Sequence, residues 1–118
     1  MDIGTVYTTP FGGRAIGRVE GNALYGSQYG YDQIGRVEDG MVYDSPYAFK
    51  PVGRVESDGS VYDSPYGYHS VGRVEGDGWI YDTQFRTVGR VDGGQSYERE
   101  ALELSGAALR LLLKPQAV

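Results

Sequence analysis

The chain has 118 residues, enough for one domain with a modest core, and it contains no cysteine. The lack of cysteine excludes disulfides, cysteine-based metal sites and cysteine nucleophiles. Lysine and arginine number 11 and aspartate and glutamate 16, so the formal net charge of −5 argues against a nucleic-acid-binding surface.

No apolar run approaches the roughly 20 residues of a membrane-spanning helix. No positively charged segment followed by an apolar stretch opens the sequence, so a secretory signal is not expected. Together these features predict a cytoplasmic location, with membrane association left open.

A short phrase recurs along the chain. Its core is Gly-Arg-Val followed by Glu or Asp; an apolar residue followed by Tyr comes after each of the first four cores, and the degraded pair Ser96-Tyr97 comes after the fifth. Such a period indicates one supersecondary unit repeated and packed against its own copies. The five cores begin at Gly17, Gly35, Gly53, Gly72 and Gly89.

Each core and the following apolar-Tyr pair are predicted to form a β-hairpin. Connections such as Asp39-Gly40, and three-residue connections ending in Gly such as 57–59, are typical of tight hairpin turns. In the resulting register the core valine faces the apolar residue and the arginine faces the tyrosine. The predicted Arg–Tyr pairs are Arg18–Tyr25, Arg36–Tyr43, Arg54–Tyr62, Arg73–Tyr81 and Arg90–Tyr97.

These candidate surface pairs have two interpretations. A guanidinium packed on a ring can be a stabilising cross-strand pair that is repeated because the hairpin is repeated. The alternative is a binding subsite repeated five times around a ring. The first interpretation is the simpler one.

Longer links join successive hairpins, and each carries an aromatic residue at one position. Ser-Pro, Gly and a leading Asp predict turns in these links. We expect the aromatics Phe11, Tyr29, Tyr47, Tyr66 and Phe85 to fold back against an edge of the sheet. The candidate aromatic rim consists of Tyr29, Tyr47, Tyr66, Trp79 and Phe85.

Other candidates for chemistry are weak. Asp44, Asp63 and Asp82 follow tyrosines, but their spacing is not that of a calcium loop, so turn capping explains them. His69 is the only histidine and belongs to no triad or metal motif. Glycine-rich turns precede strands rather than helices, so no phosphate-binding loop is present. The sequence therefore predicts no enzyme, no metal and no cofactor.

Residues 97–114 break the repeat and predict a helix that ends before Pro115. Its second half is apolar nearly all round, which is typical of a buried helix. We expect this helix inside a closed meander; an outer helix packed on a partner copy is the alternative. The candidate core residues of the helix are Leu104, Ala108, Leu109 and Leu112.

The predicted fold is mainly β. It is a closed or radial antiparallel meander of five to six repeated hairpins, about ten to twelve short strands, with one C-terminal apolar helix enclosed by the strands. The hairpin-repeat domain spans residues 1–96, the helix of residues 97–114 packs into the same domain, and residues 115–118 form a tail.

The phrases Val-Gly-Arg-Val-Glu and Val-Tyr-Asp-Ser-Pro-Tyr, within residues 6–95, resemble those of the β-flower proteins, an uncharacterised bacterial group. The arrangement is also distantly similar to the Tubby C-terminal and phospholipid-scramblase barrels, which wrap strands around a hydrophobic helix. Some of those bind phosphoinositides or lie on membranes. This chain is half their size, acidic, and without a matching Lys/Arg cluster, so the resemblance implies architecture more than function.

The predicted function is a non-enzymatic structural or binding module whose ligand is open. A peripheral membrane or lipid-binding module is one alternative, and it would require the apolar helix or an apolar cavity to be reachable. A carbohydrate-binding repeat protein is the other, and it would require exposed aromatic rings along one rim. Partners are unknown: a lipid or protein partner and an oligomer are possible, and nucleic acid is not expected.

Overall fold

The computed structural model describes residues 3–9, 11, 13–76, 78–93 and 105–113, which form ten strands and one helix. The strands are β1 (Ile3–Tyr7), β2 (Ala15–Glu20), β3 (Ala23–Tyr25), β4 (Gln33–Glu38), β5 (Met41–Tyr43), β6 (Gly53–Val55), β7 (Ser60–Tyr62), β8 (Ser70–Val74), β9 (Trp79–Tyr81) and β10 (Thr87–Gly93).

The ten strands form a closed antiparallel barrel in which sequence neighbours are also spatial neighbours, and β1 pairs with β10 to complete the ring. The predicted closed meander is therefore confirmed. Closure gives every strand two partners, so the sheet presents no unpaired edge.

Tight turns set the register of the hairpins. Asp39 and Gly40 have φ angles of 52° and 80°, as a type I′ turn requires. The three-residue turn of 57–59 ends in Gly59 at φ 95° and preserves the same pairing with one more residue. The predicted apolar pairs Val19–Leu24, Val37–Val42, Val55–Val61 and Val74–Ile80 are all observed.

The N-terminal strand closes the ring. Arg90 on β10 lies opposite Trp79 on one side and opposite Tyr7 on the other. Both sides of β10 are therefore hydrogen-bonded to other strands, and the predicted pairing of Arg90 with Tyr97 is wrong. Tyr97 itself lies outside the described residues. The apolar-Tyr pair that completes the fifth hairpin comes from β1, so the chain needs no further strand.

The C-terminal helix lies inside the barrel, as predicted. It is α-helical over 105–108 and a π-helix over Leu109–Leu113. Residues 105–110 are buried and 111–113 are half-buried, while the predicted core residue Leu104 lies outside the described residues. The core residues with no accessible surface are Val6, Val19, Leu24, Val42, Val61, Ile80, Ala107, Ala108 and Leu109.

Each hairpin presents one glycine to the helix. A Cβ atom built on any of the four glycines that face a leucine would lie only 2.7–2.8 Å from a leucine methyl group. At the fifth glycine, the nearest helix atom would be 3.5 Å from such a Cβ. The glycines therefore bring the barrel wall close to the helix. The pairs are Gly17 with Leu109, Gly89 with Arg110, Gly72 with Leu111, Gly53 with Leu112 and Gly35 with Leu113.

This pairing explains the π form of the helix. Five hairpins are about 72° apart around a ring, whereas successive residues of an α-helix turn by about 100°. A π-helix has more residues per turn and so a smaller rotation per residue. Five consecutive side chains, Leu109 to Leu113, can then meet five successive hairpins within about one turn.

Candidate functional site

The loops of the barrel differ at its two ends. Successive loops of an antiparallel meander alternate between ends, so the tight turns lie at one end and the longer links at the other. The links span residues 8–14, 26–32, 44–52, 63–69 and 82–86.

Arg54 holds the link of 63–69 against the outer face of the barrel. Its Nε donates a hydrogen bond to Glu56 at 2.8 Å, and its Nη1 donates to the carbonyl oxygens of Ser64, at 3.2 Å, and Gly67. The guanidinium lies 4.1 Å from the centre of the Tyr62 ring. Because the link covers it, the Arg54 residue is only 9% exposed.

Three other core arginines make the same contacts. Arg18, Arg36 and Arg90 each donate to at least one carbonyl oxygen of a link and stack on the cross-strand tyrosine. The acceptors are Ser27, Gln28 and Gly30 for Arg18, Ser45, Pro46 and Ala48 for Arg36, and Thr9 for Arg90. The stacking distances are 4.0 Å for Arg18 on Tyr25, 4.0 Å for Arg36 on Tyr43 and 3.9 Å for Arg90 on Tyr7.

Arg73 is different, because the link after Tyr81 has five residues whereas the link after Tyr62 has seven. In the described chain, Arg73 has no link carbonyl as acceptor. Its Nη2 pairs with Glu75 at 2.9 Å, and its buried Nε has no hydrogen-bond partner within the described ranges. Arg73 lies opposite Tyr81 in the ladder without stacking on it. Its side chain is 43% exposed, compared with 11% for Arg54.

The contacts of the two arginines predict different costs of truncation. Arg54→Ala removes several charge-assisted hydrogen bonds and one stacked pair, so we expect it to lower the free energy of unfolding by about 2–3 kcal/mol. Arg73→Ala removes one exposed ion pair and should cost less than about 1 kcal/mol. Urea denaturation of both variants measures the difference. Equal costs would contradict the proposed role of Arg54 in holding the link.

The links leave eight large aromatic side chains exposed, from 75% for Phe85 to 95% for Phe49. The expectation that the link aromatics cover a sheet edge is wrong, because the closed barrel has no edge. We name the eight exposed aromatic residues of the links the aromatic belt. It consists of Phe11, Tyr29, Tyr31, Tyr47, Phe49, Tyr66, Tyr68 and Phe85.

Three members of the aromatic belt were missed by the sequence analysis. They are Tyr31, Phe49 and Tyr68, each two residues after an aromatic that was recognised. The signal that could have found them is the spacing aromatic-Gly/Ala-aromatic in three of the five links.

Trp79 was predicted in the aromatic rim but lies on strand β9, outside the links. It is half-buried and packs edge-to-face with Phe11, with ring centroids 5.1 Å apart. Trp79 stands two residues before Tyr81, and the residue at the same place before Tyr7 on β1 is the much smaller Thr5.

A groove of about 500 Å³ lies beside Thr5, between the outer faces of β1 and β2 and the link of 26–32. It combines two aromatic rings with charged and amide side chains. Its lining residues are Ile3, Thr5, Arg18, Glu20, Gln28, Tyr29 and Tyr31.

The shifted pKa values in the described chain have structural causes. The backbone N–H groups of Arg86 and Gln84, each 2.9 Å from Oδ1, hold the pKa of Asp82 below its ordinary value. The backbone N–H of Ser60 does the same for the pKa of Asp58. Burial lowers the pKa of Arg110.

His69 is exposed and pairs with Asp63, with Nδ1 2.7 Å from Oδ2. Within the described ranges, no three His, Asp or Glu side chains are grouped so as to hold a metal ion. No helix among the described residues is long and apolar enough to cross a membrane.

Comparisons of the chain with family models, with curated proteins and with solved structures find no match. The aromatic belt and the core arginines are therefore the features from which a function is inferred.

Proposed function

We propose that this protein is a non-enzymatic binding module that takes neutral polysaccharide chains on the aromatic belt. The observation that carries the proposal is that all eight side chains of the belt are at least 75% exposed. A packed aromatic side chain buries about 150–250 Å². Leaving eight of them in water forgoes that stabilisation, and exposed apolar surface of this extent is typical of a ligand-binding surface.

The chemistry of the belt fits a sugar better than a charged polymer. The face of an aromatic ring packs against the apolar C–H face of a pyranose, and tyrosine hydroxyls and nearby amides can hydrogen-bond its hydroxyl groups. The net charge of −5 disfavours anionic polymers. The groove beside Tyr29 and Tyr31 has the size of a small-molecule site and adds Glu20 and Gln28 as polar partners.

Four of the core arginines, Arg18, Arg36, Arg54 and Arg90, support the same proposal by holding links in place. A link held by hydrogen bonds, as Arg54 holds Ser64 and Gly67, loses less conformational entropy when a ligand binds. Several links around one end of the barrel can also contact successive units of one polymer, so weak contacts add through high effective concentration.

A peripheral membrane or lipid-binding module is the alternative that the apolar helix suggested. Residues 105–110 of that helix are buried in the barrel, so the apolar surface of this part faces protein, while Leu111, Leu112 and Leu113 are half-buried. We propose also that the chain is a β-flower protein, on the strength of its repeated phrases and its enclosed helix.

The test is affinity electrophoresis through gels that contain glucomannan, glycogen or hydroxyethylcellulose, run beside flotation with neutral and anionic phospholipid vesicles. We expect at least one polysaccharide to retard the protein. The combined variant Tyr29→Ala, Tyr47→Ala, Phe49→Ala, Tyr66→Ala should bind at least about tenfold more weakly. These positions are exposed, so the substitutions should leave stability nearly unchanged.

Ser57→Ala, an exposed substitution in a tight turn at the opposite end of the barrel, is the matched control and should bind as the parent protein does. Retardation that the aromatic variant retains would overturn the proposal. So would the absence of retardation by every polysaccharide, and co-flotation with vesicles in that case would favour the membrane alternative.

A further inference from the structure

Four of the five core arginines donate to link carbonyl oxygens, whereas Arg73 finds no such acceptor among the described residues. Arg90, for example, donates to Thr9 at 2.9 Å across the closure of the barrel. The acceptor position beside Arg73 is open because the link of 82–86 is two residues shorter than the link of 63–69. The side chain of Arg73 is accordingly more exposed than those of Arg18, Arg36 and Arg54.

We propose that Arg73, Glu75 and Tyr81 form a binding position for a secondary amide, the acetamido group of an N-acetylated amino sugar. This inference rests on the proposed polysaccharide-binding function and specifies one sugar class for one of the five hairpins. The position lies on the outer face of β8 and β9, next to the link that carries Phe85.

The other hairpins indicate the chemistry of the ligand. Where the link is long enough, the oxygen that a core arginine binds belongs to an amide, as at Pro46 and Ala48 beside Arg36. The pair of Arg73 with Glu75 is neutral overall, and Glu75 would repel a carboxylate. An acetamido group fits both partners, because its carbonyl accepts from a guanidinium and its N–H can donate to a carboxylate.

The orientation of Arg73 shows what binding would change. At Arg36 and Arg54, Nε donates to the glutamate at 2.8 Å, which leaves the Nη groups for the amide oxygens, Nη1 and Nη2 at Arg36 and Nη1 at Arg54. At Arg73, Nη2 contacts Glu75, and the buried Nε has no hydrogen-bond partner in the part of the chain that the structure describes. A rotation that brings Nε to Glu75 would pair this donor, as at Arg36 and Arg54, and would leave the Nη groups for a ligand carbonyl.

The short link also holds one ring of the aromatic belt in a strained backbone. Phe85 has φ 62°, in the left-handed region that bulky residues rarely adopt, and its side chain is 75% exposed. Strain of this kind is concentrated at ligand-contact positions. Tyr81 lies on the same hairpin as Arg73 and Phe85 lies on the link that follows this hairpin, so both provide aromatic surface where a pyranose ring needs an apolar partner.

The experiment titrates the protein with the β-1,4-linked tetramer of N-acetylglucosamine and with the matched tetramer of glucose. Calorimetry measures the affinities, and ¹⁵N NMR follows the Nε–H signal of Arg73. We expect the acetylated tetramer to bind about tenfold more tightly, as one hydrogen bond to a charged donor allows. The Arg73 Nε–H signal should shift as this donor gains its carboxylate partner.

The variants separate this inference from the proposed function. Arg73→Ala should remove the preference for the acetylated tetramer and leave the affinity for the glucose tetramer unchanged. Arg14→Ala, an exposed arginine on another link, is the control and should retain the preference. A preference that persists in Arg73→Ala, or equal binding of the two tetramers, overturns this inference alone. The absence of binding to any glycan overturns both proposals.

A further titration uses the peptide Ser-Pro-Tyr-Gly-Tyr, which has the sequence of residues 64–68. Saturable binding of this peptide at Arg73, without binding of the acetylated tetramer, overturns the inference of an amino-sugar ligand in favour of a protein ligand.

Discussion

Replacing Leu109 with alanine should lower the free energy of unfolding by about 3–5 kcal/mol. Leu109 has no accessible surface and begins the π-helical turn, where it packs against the hairpin that contains Gly17. The closed barrel cannot collapse around a missing side chain, because ten strands are hydrogen-bonded in a ring. The cavity left by the substitution should therefore remain largely unfilled.

Thermal and urea denaturation measure this effect, with Leu113→Ala as the matched control. Leu113 ends the described helix and is half-buried, so the same truncation should cost clearly less. A cost below about 1 kcal/mol for Leu109→Ala would contradict a helix enclosed by the strands, since a leucine on an outer face loses little when truncated.

Replacing Gly53 with alanine should also be strongly destabilising, by about 2–4 kcal/mol. The added Cβ would lie 2.4 Å from the carbonyl oxygen of Tyr62 and 2.7 Å from Cδ1 of Leu112. The first of these atoms belongs to the backbone of a paired strand and cannot move without disturbing the ladder. The wall of the barrel would have to shift away from the helix.

Gly76→Ala is the control for this substitution. A Cβ at Gly76 meets no heavy atom within 4 Å, and its φ lies outside the left-handed region. Alanine there reduces the entropy of the unfolded chain, so we expect a gain of up to about 0.5–1 kcal/mol. Two Gly→Ala substitutions in one barrel should thus change stability in opposite directions. If both substitutions leave the free energy of unfolding unchanged, the barrel wall does not approach the helix as closely as described.

Local sequence carried enough information to predict most of the fold. The register follows from turn chemistry, since Asp39-Gly40 permits positive φ at two consecutive residues and Gly59 permits it at the end of a three-residue turn. The alternation along each core separates inward valines from outward arginines. The helix was predicted inside because its second half is apolar on every side.

The candidate site could be predicted only in part. The pairing of Arg54 with Tyr62 is a cross-strand relation and follows from the register. The hydrogen bonds from Arg54 to Ser64 and Gly67 join residues at least 10 positions apart through an irregular link, and no periodic pattern specifies them. The exposure of the link aromatics could likewise not be predicted from the sequence, because an aromatic residue in a loop can equally cover a hydrophobic surface.

The sequence by itself determined the hairpin unit and its register and limited the strands to about ten to twelve, because turns and alternation act between residues close in the chain. Only the tertiary structure decided that β1 closes the ring beside β10, that the aromatic belt remains exposed, and that Leu109–Leu113 form a π-helix. Each of these depends on the closed ring: closure selects the last partner strand, removes the edge that the aromatics could have covered, and sets the angle between hairpins that the helix must match.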